Sequence, residues 1–399
     1  MVGKTPVHIG IDARLLAMPL TGIGRYTAEL SRALIAQADL GGSGAALPDR
    51  FYLYMPGPPL TGDWAVPQVR LRAGRVRGGR AARMLWSQTV MPWQAARDGV
   101  DVFWGTSHRL PRFLPTHVAR VVTIHDLVWR HAGGTMRPLS RWMEAHLMPQ
   151  AVHMADRIVA DSQSTANDLV AAFPTVRERV RVVHLGATPM PAPADRAALA
   201  SLGIVKPYVL FVGTLEPRKN LRRLLGAWAS LPAALRQAHQ LVIAGGKGWG
   251  GVDVPQLVQA LGLGDAVLVL GYVSDAQLAG LYAHARFLAM PSLYEGFGLP
   301  LVESMAHGVP VLTANRSAMP EVAGDAGVLV DPLSESDIAR GLAALLTDDA
   351  LHACLAARAR EWAAQFSWAR AAQQMRAIFA EAVAERRSRY PHDRTAGGP

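Results

Sequence analysis

Two glutamates, Glu295 and Glu303, stand eight positions apart and frame the run EGFGLPLVE. Gly296 and Gly298 between them let backbone N–H groups approach a ligand closely. Pro300 suits the first turn of a helix, which places Glu303 near a helix start, where a ligand phosphate is also favoured. Two carboxylates around an anion-friendly turn fit a sugar nucleotide, with amides for phosphate and carboxylates for hydroxyls. A plain strand-loop-helix connection with two solvated glutamates fits the same spacing.

A second candidate is GTLEPRKN, 213–220. Arg218 and Lys219 fall at the start of a helix containing LRRLLGAW, where cations are disfavoured by the helix dipole unless an anion is present. Two cations beside helix-start amides make a diphosphate cradle; a solvated basic turn is the alternative. TGIGRY, 21–26, offers Gly22 and Gly24 at another helix start. It lacks the third glycine and the acidic residue of a dinucleotide fingerprint, and also reads as an ordinary turn. TIHDL, 123–127, puts His125 at a strand end, able to hydrogen-bond a sugar hydroxyl, to stabilise charge, or simply to be satisfied by backbone. No Asp-x-Asp and no His/Cys/carboxylate cluster with ligand spacing occurs, so neither a metal nor another cofactor is expected.

These residues need strands and helices to hold them. In the first half, apolar runs at 7–11, 51–55, 101–104, 120–124 and 157–160 alternate with helical segments. In the second half, runs at 208–213, 240–245, 266–271, 287–290, 309–313 and 327–331 do the same. Alternation of this kind predicts parallel, doubly wound α/β sheets, with ligands at the carboxyl ends of the strands and, for two such domains, in a cleft between them. The Pro/Ala-rich stretch ATPMPAPAD, 187–195, is the candidate linker. From about 365 the chain reads as helix, then as a polar tail.

The chain has 399 residues, half of them hydrophobic and 18% charged. It is not a disordered protein, and two domains are the natural division. The single cysteine, Cys354, excludes an intrachain disulfide framework and suits a reducing cytoplasm. Neither a signal peptide nor a membrane-spanning run is evident. Of the net charge of +10, the first 190 residues carry nearly all, with 22 Lys/Arg against 13 Asp/Glu. Arg70, Arg72, Arg75, Arg77, Arg80 and Arg83 form a stretch with no acidic residue, followed by Trp86 and Trp93. An anionic membrane surface, nucleic acid and a solvated arginine-rich loop are the three readings. No nucleic-acid motif supports the second.

Together these pieces resemble the retaining GT-B glycosyltransferases of glycosyltransferase family 4. The resemblance runs through TGIGRY, TIHDL, VADSQSTANDL (159–169), VVHLGA (182–187), FVGTLEPRKN (211–220), LVIAGG (241–246), GYVSD (271–275), the block from Pro291 to Pro332, and FSW (366–368). It implies two Rossmann-like domains facing a central cleft: residues 1–190 for the acceptor, 191–368 for the donor nucleotide, and 369–399 as a helix crossing back to the first domain plus a tail. It implies that Glu303 holds the ribose and that Glu295, with the amides of Phe297, Gly298 and Leu299, holds the donor sugar. Lys219 and Arg218 would neutralise the diphosphate, Gly24 (with Gly22 beside it) would close on the phosphates, His125 would lie near the transferred sugar, and Tyr272 and Val273 would seat the base. Many relatives carry arginine where this chain has Thr214, so the cationic load falls on Arg218 and Lys219.

The implied reaction retains anomeric configuration without a metal. GTLEPRKN and NRSAMPEVAGDAG look most like the branch that builds O-antigen or exopolysaccharide, which implies mannose from GDP-mannose and a lipid-linked or saccharide acceptor. UDP-glucose, UDP-N-acetylglucosamine or dTDP-rhamnose are the alternative donors. A sugar-nucleotide epimerase and a non-catalytic nucleotide-sugar-binding module are the competing classes. The implied location is cytoplasmic, peripheral at the inner face of the plasma membrane.

Overall fold

A computed structural model describes residues 7–40, 49–60, 62–250 and 253–390. It divides into two compact units. The first takes the described residues of Met1–His125, Met143–Leu185 and Trp368–Pro399; the second takes Asp126–Trp142 and Gly186–Ser367. This differs from the division read from the sequence at Asp126–Trp142, which joins the second unit. There the Leu127 N–H donates to the Tyr294 hydroxyl at 3.3 Å, and His131 stacks on the Tyr294 ring, centroids 5.3 Å apart.

The first unit is a seven-stranded sheet in the order β3-β2-β1-β4-β5-β6-β7. Its strands are β1 His8–Asp12, β2 Arg50–Met55, β3 Val69–Ala73, β4 Val102–Gly105, β5 Ala119–Ile124, β6 Arg157–Ala160 and β7 Val180–Val182. The second is a six-stranded sheet, β10-β9-β8-β11-β12-β13, built from β8 Tyr208–Val212, β9 Gln240–Ala244, β10 Val267–Gly271, β11 Phe287–Met290, β12 Val311–Ala314 and β13 Gly327–Val330. Every pairing is parallel. Central strands such as β4, β9, β11 and β12 are buried throughout, as sheets covered by helices on both faces require. In the second unit Val209, Phe211, Ile243, Phe287 and Leu312 pack with Leu224, Leu225 and Trp228 of the helix Leu221–Ala229.

Two strands were not legible as strands. β3 lies inside the arginine-rich stretch, pairing in register from Phe51↔Val69 to Met55↔Ala73. It is an edge strand with a polar, exposed pattern, so its residues alternate arginine with apolar side chains and read as solvated loop. β7 is a three-residue edge strand, too short to leave a hydrophobic signature.

The helix Trp368–Arg389 belongs to the first unit and lies on α1, Gly22–Leu40. Trp368, Met375, Ile378, Phe379 and Val383 are buried there. Arg386 bonds Asp156 at 3.1 Å and the Thr116 carbonyl at 2.8 Å, and Arg376 pairs with Asp49 at 2.6 Å.

Candidate functional site

Each sheet reverses its strand order once, between β1 and β4 in the first unit and between β8 and β11 in the second. Chains leaving two such strands at their carboxyl ends diverge to opposite faces and open a crevice there. In the second unit, the segment after β8 supplies Arg218 and Lys219 and the segment after β11 supplies Glu295.

The three side chains form one ion cluster. The Lys219 Nζ lies 2.7 Å from Glu295 Oε1. Arg218 Nη1 donates to Glu295 Oε2 and, at 2.9 Å, to the Tyr294 carbonyl. Glu295 is 6% and Lys219 8% exposed, which removes the solvated-glutamate reading. Burial acts to raise the Glu295 pKa, but Arg218 and Lys219 overcome it and hold the carboxyl at about 2. Burial likewise acts to lower the Arg218 pKa, and Glu295, Asp126 and Glu216 raise it above the ordinary value. Glu295 and Arg218 are therefore charged at neutral pH. The disfavoured cations at the helix start are answered, in the protein itself, by Glu295.

Local structure fixes this cluster. Pro217–Lys219 is a 3-10 turn closed by Asn220 in the left-handed region, φ 60°. The buried Asn220 amide donates to the Pro291 and Pro332 carbonyls at 2.9 and 2.7 Å. The Leu293 N–H donates to the Arg218 carbonyl at 2.9 Å. The loops after β8 and β11 are thus laced together by backbone and amide bonds before their charges meet. The Lys219 chain passes Gly213, where a Cβ would come within 3.3 Å of its Cε.

After Glu295 the chain turns through Phe297 and Gly298 into the helix Leu299–Ala306, with Pro300 in its first turn. Gly298 has φ 99°, and a Cβ there would lie 2.7 Å from Met319 Cε, so only glycine fits. Phe297 is buried with its ring edge-on to Phe366. Glu303, 5% exposed, follows Leu299 by four residues, and its Oε2 accepts from the Tyr282 hydroxyl at 2.8 Å. Tyr272, after β10, is 80% exposed, and Val273 precedes Ser274, which caps the helix Asp275–His284.

In the first unit, Gly22 and Gly24 open α1. A Cβ at Gly22 meets nothing within 4 Å, whereas one at Gly24 would meet Leu20 at 3.1 Å. His125 immediately follows β5, Asp161 follows β6, and Thr106 follows β4 by one residue. Because β4, β5 and β6 are neighbours, the three converge. His125 Nδ1 lies 2.6 Å from Asp161 Oδ2, and Nε2 lies 2.8 Å from the Thr106 carbonyl. A carbonyl only accepts, so Nε2 carries a proton, and Nδ1 faces the carboxylate. Both ring nitrogens are spent inside their own unit. His125 is buried, its ring engaged by Asp161 and the Thr106 carbonyl.

The His125 N–H donates to His108 Nε2 at 3.0 Å. That assigns the His108 proton to Nδ1, which faces Glu144 Oε2 at 3.2 Å. Glu144 also bonds Arg109 at 3.0 Å. Burial acts to raise the Glu144 pKa, but His108 and Arg109 bring it to about 2. Asp161, Thr106, His108 and Glu144 carried no signal beyond a polar residue near a strand end. Their partners lie 17 to 36 positions away, so only the topology brings them together.

The basic stretch is not one patch. Arg72 on β3 pairs with Asp98 at 2.5 Å, Arg70, Arg75 and Arg77 are exposed, and Arg83 is half-buried. The Arg80 side chain lies outside the described residues. Trp86 is 6% exposed and belongs to the core, so it is not available to an interface; Trp93 is 56% exposed.

Residues 20–189 match the family described as Glycosyltransferase Family 4, and residues 200–362 match Glycosyl transferases group 1. The chain is 31% identical over 377 residues to O-antigen chain mannosyltransferase B of Escherichia coli, covering 88% of this chain and 93% of that one. Among solved structures it is similar to sucrose-phosphate synthase from Thermosynechococcus elongatus, with TM-score 0.74 and 21% identity over 95% of this chain and 100% of that one. It is also similar to Anabaena HepE in complex with UDP-glucose, with TM-score 0.66 and 19% identity over 95% and 99%.

Proposed function

The chain belongs to glycosyltransferase family 4 and has the GT-B fold, and we propose that it is a retaining, metal-independent hexosyltransferase. In this reading it moves mannose from GDP-mannose to a lipid-linked oligosaccharide or a growing surface polysaccharide, working as a peripheral protein at the inner face of the plasma membrane. Among the described residues, no helix is long and apolar enough to cross a membrane. The similarity to O-antigen chain mannosyltransferase B supports the sugar and the polymer.

The observation that carries the chemistry is the Arg218–Lys219–Glu295 cluster at the strand-order reversal of the second unit. A diphosphate arriving there gives the two cations a second anion, and charge developing on the leaving oxygen meets donors already in place, which is often the largest catalytic contribution. Glu295 then serves the donor sugar as a fixed hydrogen-bond acceptor, and Glu303 serves the ribose. With its carboxyl held at about 2, Glu295 has no proton to give, and two cations blunt it as a nucleophile. His125 has no free ring nitrogen for a base. These facts favour a front-face transfer in which the leaving phosphate oxygen takes the acceptor's proton.

The test is a screen of radiolabelled GDP-mannose, UDP-glucose, UDP-N-acetylglucosamine and dTDP-rhamnose with a polyprenyl-diphosphate oligosaccharide extract, run with and without chelator. Proton NMR of the product gives the anomer. Label entering lipid from GDP-mannose, unaffected by chelator and with the α configuration kept, is expected. Incorporation only from another donor sinks the donor assignment, and an inverted anomer sinks the mechanism.

A further inference from the structure

The two carboxyls that frame EGFGLPLVE are held by opposite means. Glu295 meets two cations, Arg218 and Lys219. Glu303 is as deeply buried but meets a phenol, its Oε2 accepting from the Tyr282 hydroxyl at 2.8 Å. Among the described residues no cation pairs with Glu303, and its Oε1 accepts no hydrogen bond. Carboxyl oxygens this far from water ordinarily have partners. A carboxylate offers about four lone-pair sites, and Tyr282 occupies one of them.

The phenol is fixed in its turn. Tyr282 is fully buried near the end of the helix Asp275–His284, whose start is set by the reciprocal Ser274–Gln277 cap. The Tyr208 hydroxyl donates to the neighbouring Leu281 carbonyl at 2.8 Å. A Cβ on Gly280 would lie 2.6 Å from the Ala194 carbonyl oxygen, so this turn of the helix sits tight against the chain at Ala194. The Tyr282 ring stacks on His307, with centroids 5.8 Å apart and planes inclined by 23°. His307 Nδ1 lies 2.9 Å from the Glu303 carbonyl and donates to it, because a carbonyl only accepts. Tyr282, Glu303 and His307 thus close a circuit of contacts that joins the helix Asp275–His284 to the helix Leu299–Ala306.

We propose that Tyr282 is a positioning residue that makes this protein select ribonucleotide over deoxyribonucleotide donors. By holding Oε2, it presents Oε1 and the remaining lone pair of Oε2 to the two neighbouring hydroxyls of a ribose. This rests on the reading that Glu303 serves the ribose. A glutamate free to turn adapts to a sugar that lacks one hydroxyl. One that is held does not adapt, and the missing hydroxyl leaves a buried oxygen unpaired, so the analogue is rejected. A cation in place of the phenol would satisfy the carboxyl by itself, as at Glu295, and weaken its demand for the ribose. Among the candidate donors, dTDP-rhamnose lacks the 2′-hydroxyl and is disfavoured on this ground.

The full chain is titrated calorimetrically with GDP, UDP and the 2′-deoxy and 3′-deoxy form of each. For whichever parent binds more tightly, each deoxy form should bind wild type roughly 10-fold more weakly. Tyr282→Phe keeps the ring and its stack on His307 and loses only the hydroxyl. It should bring the parent-to-deoxy ratio to within ~3-fold, chiefly by weakening the parent, and the loss should appear in the donor KM more than in kcat. Circular dichroism melts confirm the fold. A purely structural role for Tyr282 would instead weaken parent and deoxy forms alike. Glu303→Ala separates this proposal from the reading beneath it. If Glu303→Ala abolishes the discrimination and Tyr282→Phe keeps it, the ribose assignment stands and Tyr282 is not the positioning residue. If Glu303→Ala keeps the wild-type ratio, the ribose assignment itself fails and the proposal falls with it. The wild-type comparison needs no variant to fold: equal binding of parent and deoxy forms, or faster transfer from dTDP-rhamnose than from any ribonucleotide donor, would also overturn the proposal.

Discussion

At the scale of single residues, two cations of the second unit, Arg218 and Lys219, share one buried carboxylate, Glu295. Lys219→Ala removes one of the two cations offered to a leaving diphosphate, and turnover should fall by roughly 10²–10³, with the far-UV spectrum retained. Steady-state kinetics with the preferred donor check this; turnover within threefold of wild type would remove Lys219 from the mechanism. Glu295 also links stability to pH. Its carboxyl sits at about 2 in the fold against an ordinary 4.5. The stabilisation is thus complete above about pH 4.5 and lost as pH falls toward 2. At ~1.4 kcal/mol per unit it is worth roughly 3 kcal/mol at neutral pH. Melting temperatures taken from pH 7 to about pH 3 should fall less steeply in Glu295→Gln than in wild type, and parallel curves would show that the pairing contributes nothing. The glutamate pair and the adjacent cations were legible because each motif is local in sequence. The His125–Asp161–Thr106 convergence was not, because three different strands deliver it.

At the scale of elements, all eleven strands read from the apolar runs are present, most of them covered on both faces and so continuously apolar. The two unread strands, β3 and β7, are the two edges of the first sheet; β3 interleaves exposed arginines with its apolar residues and β7 is three residues long, so neither leaves a continuous apolar run. The turn into Leu299–Ala306 was legible as glycine and proline chemistry, but its strictness was not: Gly298 combines φ 99° with Met319 Cε 2.7 Å from any added Cβ. Gly298→Ala must therefore distort either the turn or the Met319 packing. A cost of about 1–3 kcal/mol is expected, together with a weaker donor complex, since the turn sets the direction of the Phe297–Leu299 segment. Chemical denaturation and calorimetric titration of the nucleotide measure the two effects; wild-type values for both would mean the turn is tolerant.

At the scale of the whole molecule, sequence order and structural membership part company at both ends of the second unit. Asp126–Trp142 is contributed to it from within the first half of the chain, and Trp368–Arg389 is returned from its far end to the first unit. The returning helix is not an appendage. Trp368 meets Tyr26, and Phe379 meets Trp104, at ring separations of 6.2 and 6.0 Å, while Arg386 satisfies the buried Asp156. Burying Trp368, Met375, Ile378, Phe379 and Val383 at about 1.5–3 kcal/mol each contributes on the order of 10 kcal/mol, comparable with the entire stability of a typical domain. The first unit should therefore fail to fold without its last segment, although that segment follows the second unit in the chain. A chain ending at Ser367 is expected to leave, after limited proteolysis, a resistant core from the second unit and to lose the first to digestion. A cooperative melt of both units in that truncated chain would show that the first sheet is stable without the helix.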